Sequence, residues 1–437
     1  MNNLQLPKEY QWVDLSNLQF SQALELSLNS DRNLMIQGRA GSGKSLLIKM
    51  ISSIKKNVVV LSTTGITAVE LSSEKIAAKT IHSFLSIPPV PLFSSNDIYM
   101  MGPKNARILN EAEVIIIDEV SMMSNNLFDF VCEKILRHRR GKEIPRIILF
   151  GDVLQLPPVI DLKNDLVAAY FKEKYDNKFM FFNSEWYKDL NFKLLHLRKS
   201  YRQDEQDFAE KLFQVGYRDH SEETLDYFNQ RVMSLAQFEK LHKNYIYMSP
   251  TNAVVDKINN DYMKTLTGKK ITYKASMSAN FPKDKKPNND IVDIRIGAQV
   301  MCLVNNYERK YVNGTIGEVI EVEPEFLTIE HDGENKKVEK TTFNIYDMVI
   351  DSSGNIDKKS IGWYKQIDAK VCRAVTIHKM QGRTLDSGYI SLQNWIPPGI
   401  IYVALSRLRT LNGLGLSRPL KEEDIKLNTE AFDFLEG

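Results

Sequence analysis

The run Gly38-Arg39-Ala40-Gly41-Ser42-Gly43-Lys44-Ser45 restricts what this chain can fold into more than any other stretch. It fits G-x-x-x-x-G-K-[ST], with the extended apolar run Leu34-Met35-Ile36 before it and a helical pattern from Lys44 to Ile54 after it. Strand, glycine-rich loop and helix in that order predict an α/β fold. Gly38, Gly41 and Gly43 let the backbone curl so that its N–H groups converge on phosphate oxygens, reinforced by the positive end of the helix that follows. Lys44 would reach the β- and γ-phosphates, and the Ser45 hydroxyl would ligate Mg²⁺. The loop implies that a nucleotide binds. It does not say what the nucleotide drives.

At 437 residues the chain is long enough for two to four domains. With 43% apolar and 26% charged residues it has the composition of an ordinary globular protein. A net charge of +2 means that any nucleic-acid binding must come from local contacts, not a bulk positive field. Cys132, Cys302 and Cys372 are too widely spaced for a disulfide framework or a metal site, and they suit a reducing interior. Neither a signal-peptide pattern nor an apolar run of membrane-spanning length is present, so an intracellular, cytoplasmic protein without a membrane partner is expected.

Further along, Val114-Ile115-Ile116-Ile117-Asp118-Glu119 reads as a strand buried on both faces with two carboxylates at its C-terminal end, where open α/β sheets hold ligands. Asp118 would hold Mg²⁺ through water and Glu119 would polarise the attacking water. Arg146 to Gly151 is another such strand, followed by Asp152 and then Gln155-Leu156-Pro157-Pro158-Val159, which places Gln155 where it can touch a γ-phosphate. Several residues keep two readings. Gln22 could read adenine or sit exposed on a helix, and Thr63 and Thr64 could cap a helix or meet a phosphate backbone. The basic run from Lys134 to Lys142 could be a solvated face or a nucleic-acid contact. Arg202 and Arg407 could be surface charges or phosphate contacts, and His378 could be structural or functional.

The stretch Pro88 to Pro103 reads as an excursion from the core. A composition shift near Asn164 marks a lobe boundary, giving a first lobe over 1–160 with an insertion at about 87–107 and a second lobe over 161–437. Met248-Ser249-Pro250-Thr251 echoes Leu61-Ser62-Thr63-Thr64, as if two similar lobes each offered a threonine at a helix start. Gly268 to Asp293, polar and Lys-rich, reads as a loop or small insertion. About 296–368 reads as a small β-barrel inserted in the second lobe, with turns at Asn313-Gly314 and Asp332-Gly333.

Taken in order, Gly38–Ser45, Thr63–Ala68, Thr80–Leu85, Asp118–Met122, Gly151–Val159, Tyr201–Gln203, His378–Gly382 and Tyr402–Arg407 resemble the superfamily-one helicases, specifically the Pif family and its RecD and Dda relatives. The resemblance runs from about Gln22 to Thr410. It implies two RecA-like lobes with parallel sheets, a small wedge insertion and an SH3-like barrel insertion. It further implies ATP and Mg²⁺ as cofactors, single-stranded and tailed duplex DNA as partners, 5′-to-3′ movement with unwinding of duplex, G-quadruplex or RNA–DNA hybrid, and a monomer. Position by position, Gln22 would read adenine, Gly38, Gly41, Ser42, Gly43 and Gly382 would line the nucleotide, and Lys44, Ser45, Asp118 and Glu119 would hydrolyse it. Gln155 would sense the γ-phosphate, with Arg202 and Arg407 as arginine fingers from the second lobe, while Thr64, Gly65, His82, Phe84, Thr251 and His378 would lie along the DNA. Two other readings remain open: a single-strand translocase with little unwinding, and a non-motor nucleotide switch. The chain departs from the family at Ser62-Thr63-Thr64, where Ala-Pro-Thr is usual, at Met380, where Ser is usual, and at Gly141–Pro145, where Phe-Gly-Gly is usual.

Overall fold

The structure, a computed structural model, describes residues 6–436 except 74–75, 88–99, 140, 202–204, 218–220, 280, 282–285, 305, 307–310, 312–314, 351–355, 382, 394–395 and 427. Two compact units emerge. The first holds Met1–Tyr201 with Tyr346–Ser360 and Asn428–Gly437, and the second holds Arg202–Ile345 and Ile361–Leu427.

The first unit is built on strands β1 (Leu34–Gly38), β2 (Val58–Ser62), β3 (Ala78–Thr80), β4 (Val114–Asp118), β5 (Arg146–Gly151) and β6 (Lys193–Leu197), in spatial order β3-β2-β4-β5-β1-β6. Every pair is parallel. β1 and β4 are buried at every residue, as uninterrupted β-branched and aliphatic runs require when helices cover both faces. Helices α1 (Leu18–Asn29), α2 (Lys44–Ile54), α3 (Gly65–Leu71), α4 (Ile81–Leu85), α5 (Pro103–Glu111), α6 (Asn125–His138), α7 (Asp165–Tyr175) and α8 (Glu185–Asp189) complete this part. α1 and α2 bury Phe20, Leu24, Leu47 and Ile51 against Ile36 and Ile148, each side chain worth roughly 1.5–3 kcal/mol. Asn17 starts α1 by accepting from the Gln19 and Phe20 amides, and Ser124 starts α6 by accepting from Leu127 N.

The lobe boundary expected at 160 therefore moves. Residues 161–201 supply α7, α8 and β6 to the first unit, because β6 pairs in register with β1, Gly38 opposite Leu197. Composition near Asn164 changes because the added piece is a short aromatic layer, not because a lobe ends. The excursion beginning at Pro88 falls largely on 88–99, outside the described residues; α5 begins at its far end, Pro103.

In the second unit α9 (Gln206–Gly216), α10 (Glu222–Asn229) and α11 (Leu235–Leu241) precede β7 (Ile246–Ser249) and α12 (Asn252–Thr265). The chain then leaves for an antiparallel region: β8 (Lys270–Lys274), β9 (Ser276–Met277), β10 (Ile291–Arg295), β11 (Gln299–Cys302), β12 (Ile316–Val322), β13 (Phe326–His331), β14 (Glu334–Ile350), β15 (Ile356–Ile367) and β16 (Ala369–Val371). It returns through β17 (Ala374–Thr376), β18 (Gly388–Ile390), α13 (Ile400–Leu405) and β19 (Leu414–Leu416), and ends in α14 (Thr429–Glu436). β17, β7, β18 and β19 make a parallel sheet in that order.

The insertion starts before residue 296. β8 and β10 lie in the segment expected to be a loop, pair antiparallel, and place Tyr273, Val292 and Ile294 in one core with Val300, Val319, Leu327 and Ile329. Its lysines face outward in strict alternation with these apolar residues, so the high charge disguised a period of two. The Asp332-Gly333 turn is present, with φ 52° and 75° at a two-residue β13–β14 connection. The Asn313-Gly314 turn lies outside the described residues.

Candidate active site

Five strand ends in the first unit come to one edge of the sheet. β1 stops at Gly38 and the loop that follows is shaped by close approach. A Cβ on Gly38 would come within 2.4 Å of Ser42 Oγ, and Gly43 begins α2 at φ 90°, in the left-handed region that side chains disfavour. Lys44 lies back across the loop, its Nζ donating to the carbonyls of Gly38 (2.6 Å) and Arg39 (3.1 Å). Ser45 is exposed in the first turn of α2, and the Ser42 hydroxyl is buried with no hydrogen-bond partner among the described residues. Incoming phosphate oxygens would supply what these groups lack.

β4 ends at Asp118, only 4% exposed. Burial and the adjacent Glu119 charge push its carboxyl up to about 7, against the pull of Lys44. Its Oδ1 is buried with no hydrogen-bond partner among the described residues. An orphaned carboxylate oxygen within the field of Lys44, beside an exposed Ser45 hydroxyl, fits Mg²⁺, which takes one or two protein ligands and completes its shell with water and phosphate. No cluster of three or more His, Cys, Asp or Glu suited to a metal occurs among the described residues, so the site is not an all-protein cage. Glu119 is held at φ 54°, ψ 40°, a left-handed conformation uncommon for glutamate.

β5 brings in the third part. Gln155 is buried and donates from Nε2 to Asp152 Oδ2 (3.0 Å). The other oxygen of Asp152 accepts from Gln37 Nε2 (2.9 Å), while Gln37 Oε1 accepts from Val153 N (3.0 Å). Gln37 immediately precedes Gly38, so this buried relay ties Gln155 to the phosphate loop. Sequence reading missed Gln37 because a glutamine inside a strand carries no motif. The β6 exit also runs along the loop, Ser200 Oγ donating to Ala40 O and Tyr201 N to Gly41 O, each at 2.9 Å. Gln22 lies on the exposed side of α1; the α1 amide with a partner on this exit is Gln19, whose Oε1 accepts from Arg198 N at 2.9 Å. Arg202 and Gly382 lie outside the described residues.

The residues expected along DNA divide by environment. Thr64 caps α3, its hydroxyl accepting from Thr67 N (3.3 Å) and pairing with Thr67 Oγ1 (2.7 Å), with Gly65 exposed beside it. His82 is half-buried in α4, its Nδ1 3.0 Å from Ile87 O. Phe84 is corrected: its ring is fully buried under Lys79 Nζ, so it supports α4 and offers no face to a base. The basic run divides: Arg137 and Lys142 are exposed, and two of its cations turn inward. Lys134 is buried and donates to Ser86 O, and Arg139 is buried and donates to Leu109, Ala112 and Glu143 carbonyls. These cations satisfy carbonyls at the ends of α4 and α5 and leave little for a phosphate.

In the second unit β7 and β17 are neighbours with Ser249 opposite Thr376, so Thr251 and His378 follow adjacent strand ends. Both are exposed, and Thr251 starts α12 without a side-chain cap bond. Although the residue is exposed overall, desolvation of its imidazole by the surrounding turn lowers the His378 pKa. Arg407 departs from expectation. It is 1% exposed, and its guanidinium donates to Val403 O (2.9 Å), Met380 O (3.3 Å) and Ser406 Oγ (2.7 Å). In this state it ties α13 to the turn carrying His378 and is not presented as a finger.

A parallel sheet whose phosphate loop, strand-end acids and strand-end glutamine share one edge defines a P-loop ATPase of the RecA-like class. The model of the PIF1-like helicase family matches residues 19–225. The ATP-dependent DNA helicase Pif1 of Bdellovibrio bacteriovorus is 29% identical over 92% of this chain and 88% of its own. Among solved structures, Bacteroides sp. Pif1 in complex with ADP-AlF4 matches at TM-score 0.86 and 28% identity over 97% of both chains. Bacteroides Pif1 in complex with ADP-AlF3 and single-stranded DNA matches at 0.67 and 28% over the same shares. Over residues 19–225 the chain is thus similar to the PIF1-like helicases, and over nearly its whole length to solved Pif1 structures.

Proposed function

We propose that this chain is an ATP-dependent DNA helicase that moves 5′ to 3′ along single-stranded DNA and opens the duplex ahead of it, acting as a monomer. The carrying observation is a register: Ser62 stands opposite Asp118, so the segment read as a DNA contact begins beside the hydrolytic carboxylates. Lys44 would leave the carbonyls of Gly38 and Arg39 for β- and γ-phosphate oxygens, and Asp118 with Ser45 would hold Mg²⁺. Bound there, Mg²⁺ supplies charge neutralisation of the phosphates. Glu119 would take the proton of the water that attacks the γ-phosphorus as the bond to the ADP oxygen breaks. Gln155, fixed through Asp152 and Gln37, would register the γ-phosphate, and Arg202 is its proposed cationic partner. Thr64, His82, Thr251 and His378 would grip the strand. Named ATP-dependent DNA helicases matched over most of their length support this reading.

The test is strand displacement on duplexes carrying a 5′ or a 3′ single-stranded tail, with ATP and Mg²⁺. Unwinding of the 5′-tailed substrate alone is expected, abolished by Lys44→Ala, with hydrolysis falling about 10²-fold or more. Unwinding only from 3′ tails, or Lys44→Ala protein that still hydrolyses ATP, would overturn the proposal. ATP-driven protein displacement without unwinding would favour the translocase.

A further inference from the structure

Glu119 holds an uncommon backbone conformation, and the contacts that hold it come from a neighbouring strand end. The Thr63 hydroxyl donates to the Glu119 main-chain oxygen at 2.9 Å, and the Thr63 amide donates to the Asp118 main-chain oxygen at 3.3 Å. Those oxygens belong to the peptide planes on either side of the Glu119 Cα. Fixing both planes fixes φ and ψ of Glu119 together, at 54° and 40°, and so the direction in which its side chain departs. Thr63 thus holds both planes, with Met122 N also donating to the Glu119 main-chain oxygen at 3.2 Å.

The residues on either side of Thr63 are bonded to each other and to the start of α3. Ser62 Oγ is bonded to Thr67 Oγ1 and accepts from Thr64 N, and Thr67 Oγ1 is bonded in turn to Thr64 Oγ1. Ser62, Thr64 and Thr67 therefore form a hydroxyl network that brackets Thr63 in the chain. A proline at position 63 would have neither the amide hydrogen nor the hydroxyl, so both bonds to the Asp118-Glu119 backbone depend on the threonine.

We propose that Thr63 is a positioning residue that aims Glu119 and passes displacements of Thr64 by bound single-stranded DNA to it. This rests on the reading of Thr64 as a DNA contact and Glu119 as the hydrolytic base. The test compares wild type with Thr63→Val, which keeps shape and loses the hydroxyl, and Thr63→Ser, which restores it. ATP turnover is measured without DNA and with saturating oligo-dT, alongside KM for ATP and oligo-dT affinity. Thr63→Val is expected to lower the DNA-stimulated kcat about tenfold, the scale of one lost hydrogen bond, with KM and DNA affinity within about twofold, as for a bond that touches neither ligand. Thr63→Ser should recover most of the rate. Thr63→Ala carries the same expectation if the valine variant is unstable. Unchanged kcat in Thr63→Val, or loss of kcat, KM and DNA affinity together, would overturn the role of Thr63. A wild type that hydrolyses ATP without acceleration by oligo-dT would instead overturn the DNA reading, and basal kcat would then report on the aiming of Glu119 alone.

Discussion

Asp368 shows how one buried group can make stability depend on pH away from the nucleotide. It is fully buried beneath the antiparallel sheet, and its Oδ1 accepts from Leu303 N at 3.1 Å. Burial pushes its carboxyl up to about 7, offset in part by the hydrogen bonds it accepts. The folded state therefore holds a proton that the unfolded chain releases near 4, so stability falls as pH rises from about 4 to 7 and then levels off. Asp368→Asn keeps the acceptor and cannot ionise. Its melting temperature should match wild type near pH 4.5 and exceed it by at least about 3 °C at pH 8, followed by circular dichroism. A constant gap across that range would show that Asp368 does not titrate there. At this scale the sequence announced the groups with fixed spacing, Lys44, Ser45, Asp118, Glu119 and Gln155. It did not show that Phe84 and Arg407 are buried, because spacing places a side chain on an element without saying whether that face turns inward. Gln37 and Thr63 were invisible as partners for a related reason: both act across neighbouring strands, through pairings that no local pattern encodes.

Among the elements, α14 was the least foreseeable. Sequence order assigns it to the second lobe, yet it belongs to the first unit. Glu430 in its first turn accepts from Phe179 N, Met180 N and Asn183 Nδ2, and Phe434 stacks on Phe182 with ring centroids 4.2 Å apart. The same aromatic layer contains Phe181 and Tyr187. Phe434→Ala should remove about 2 kcal/mol from the stability of the first unit, read as an earlier thermal transition. An unchanged melting curve would mean that the helix docks without stabilising its seat. The strands of the parallel sheets were far more legible, because burial on both faces demands the unbroken aliphatic runs seen in β1 and β4. β8 and β10 were not, since charged and polar residues such as Lys270, Lys274 and Asp293 on one face of an alternating strand look locally like a polar loop.

For the whole molecule, a net charge of +2 leaves no long-range positive field, so DNA affinity depends on close contacts that salt screens. Oligo-dT affinity is expected to fall about tenfold or more between 50 and 200 mM salt, measured by fluorescence anisotropy. A flat response would mean that stacking, not phosphate contact, holds the strand. By itself the sequence determined the chemistry of the ATP site, the α/β class and the order of its motifs, because a phosphate loop and a doubly buried strand leave few local solutions. Only the tertiary structure decided that β6 and α14 complete the first unit, that Lys134 and Arg139 turn inward, and that Thr63 and Gln37 bond across neighbouring strands to the Glu119 backbone and to Asp152. Those outcomes depend on which strands lie side by side, and strand order is settled by packing over the whole chain.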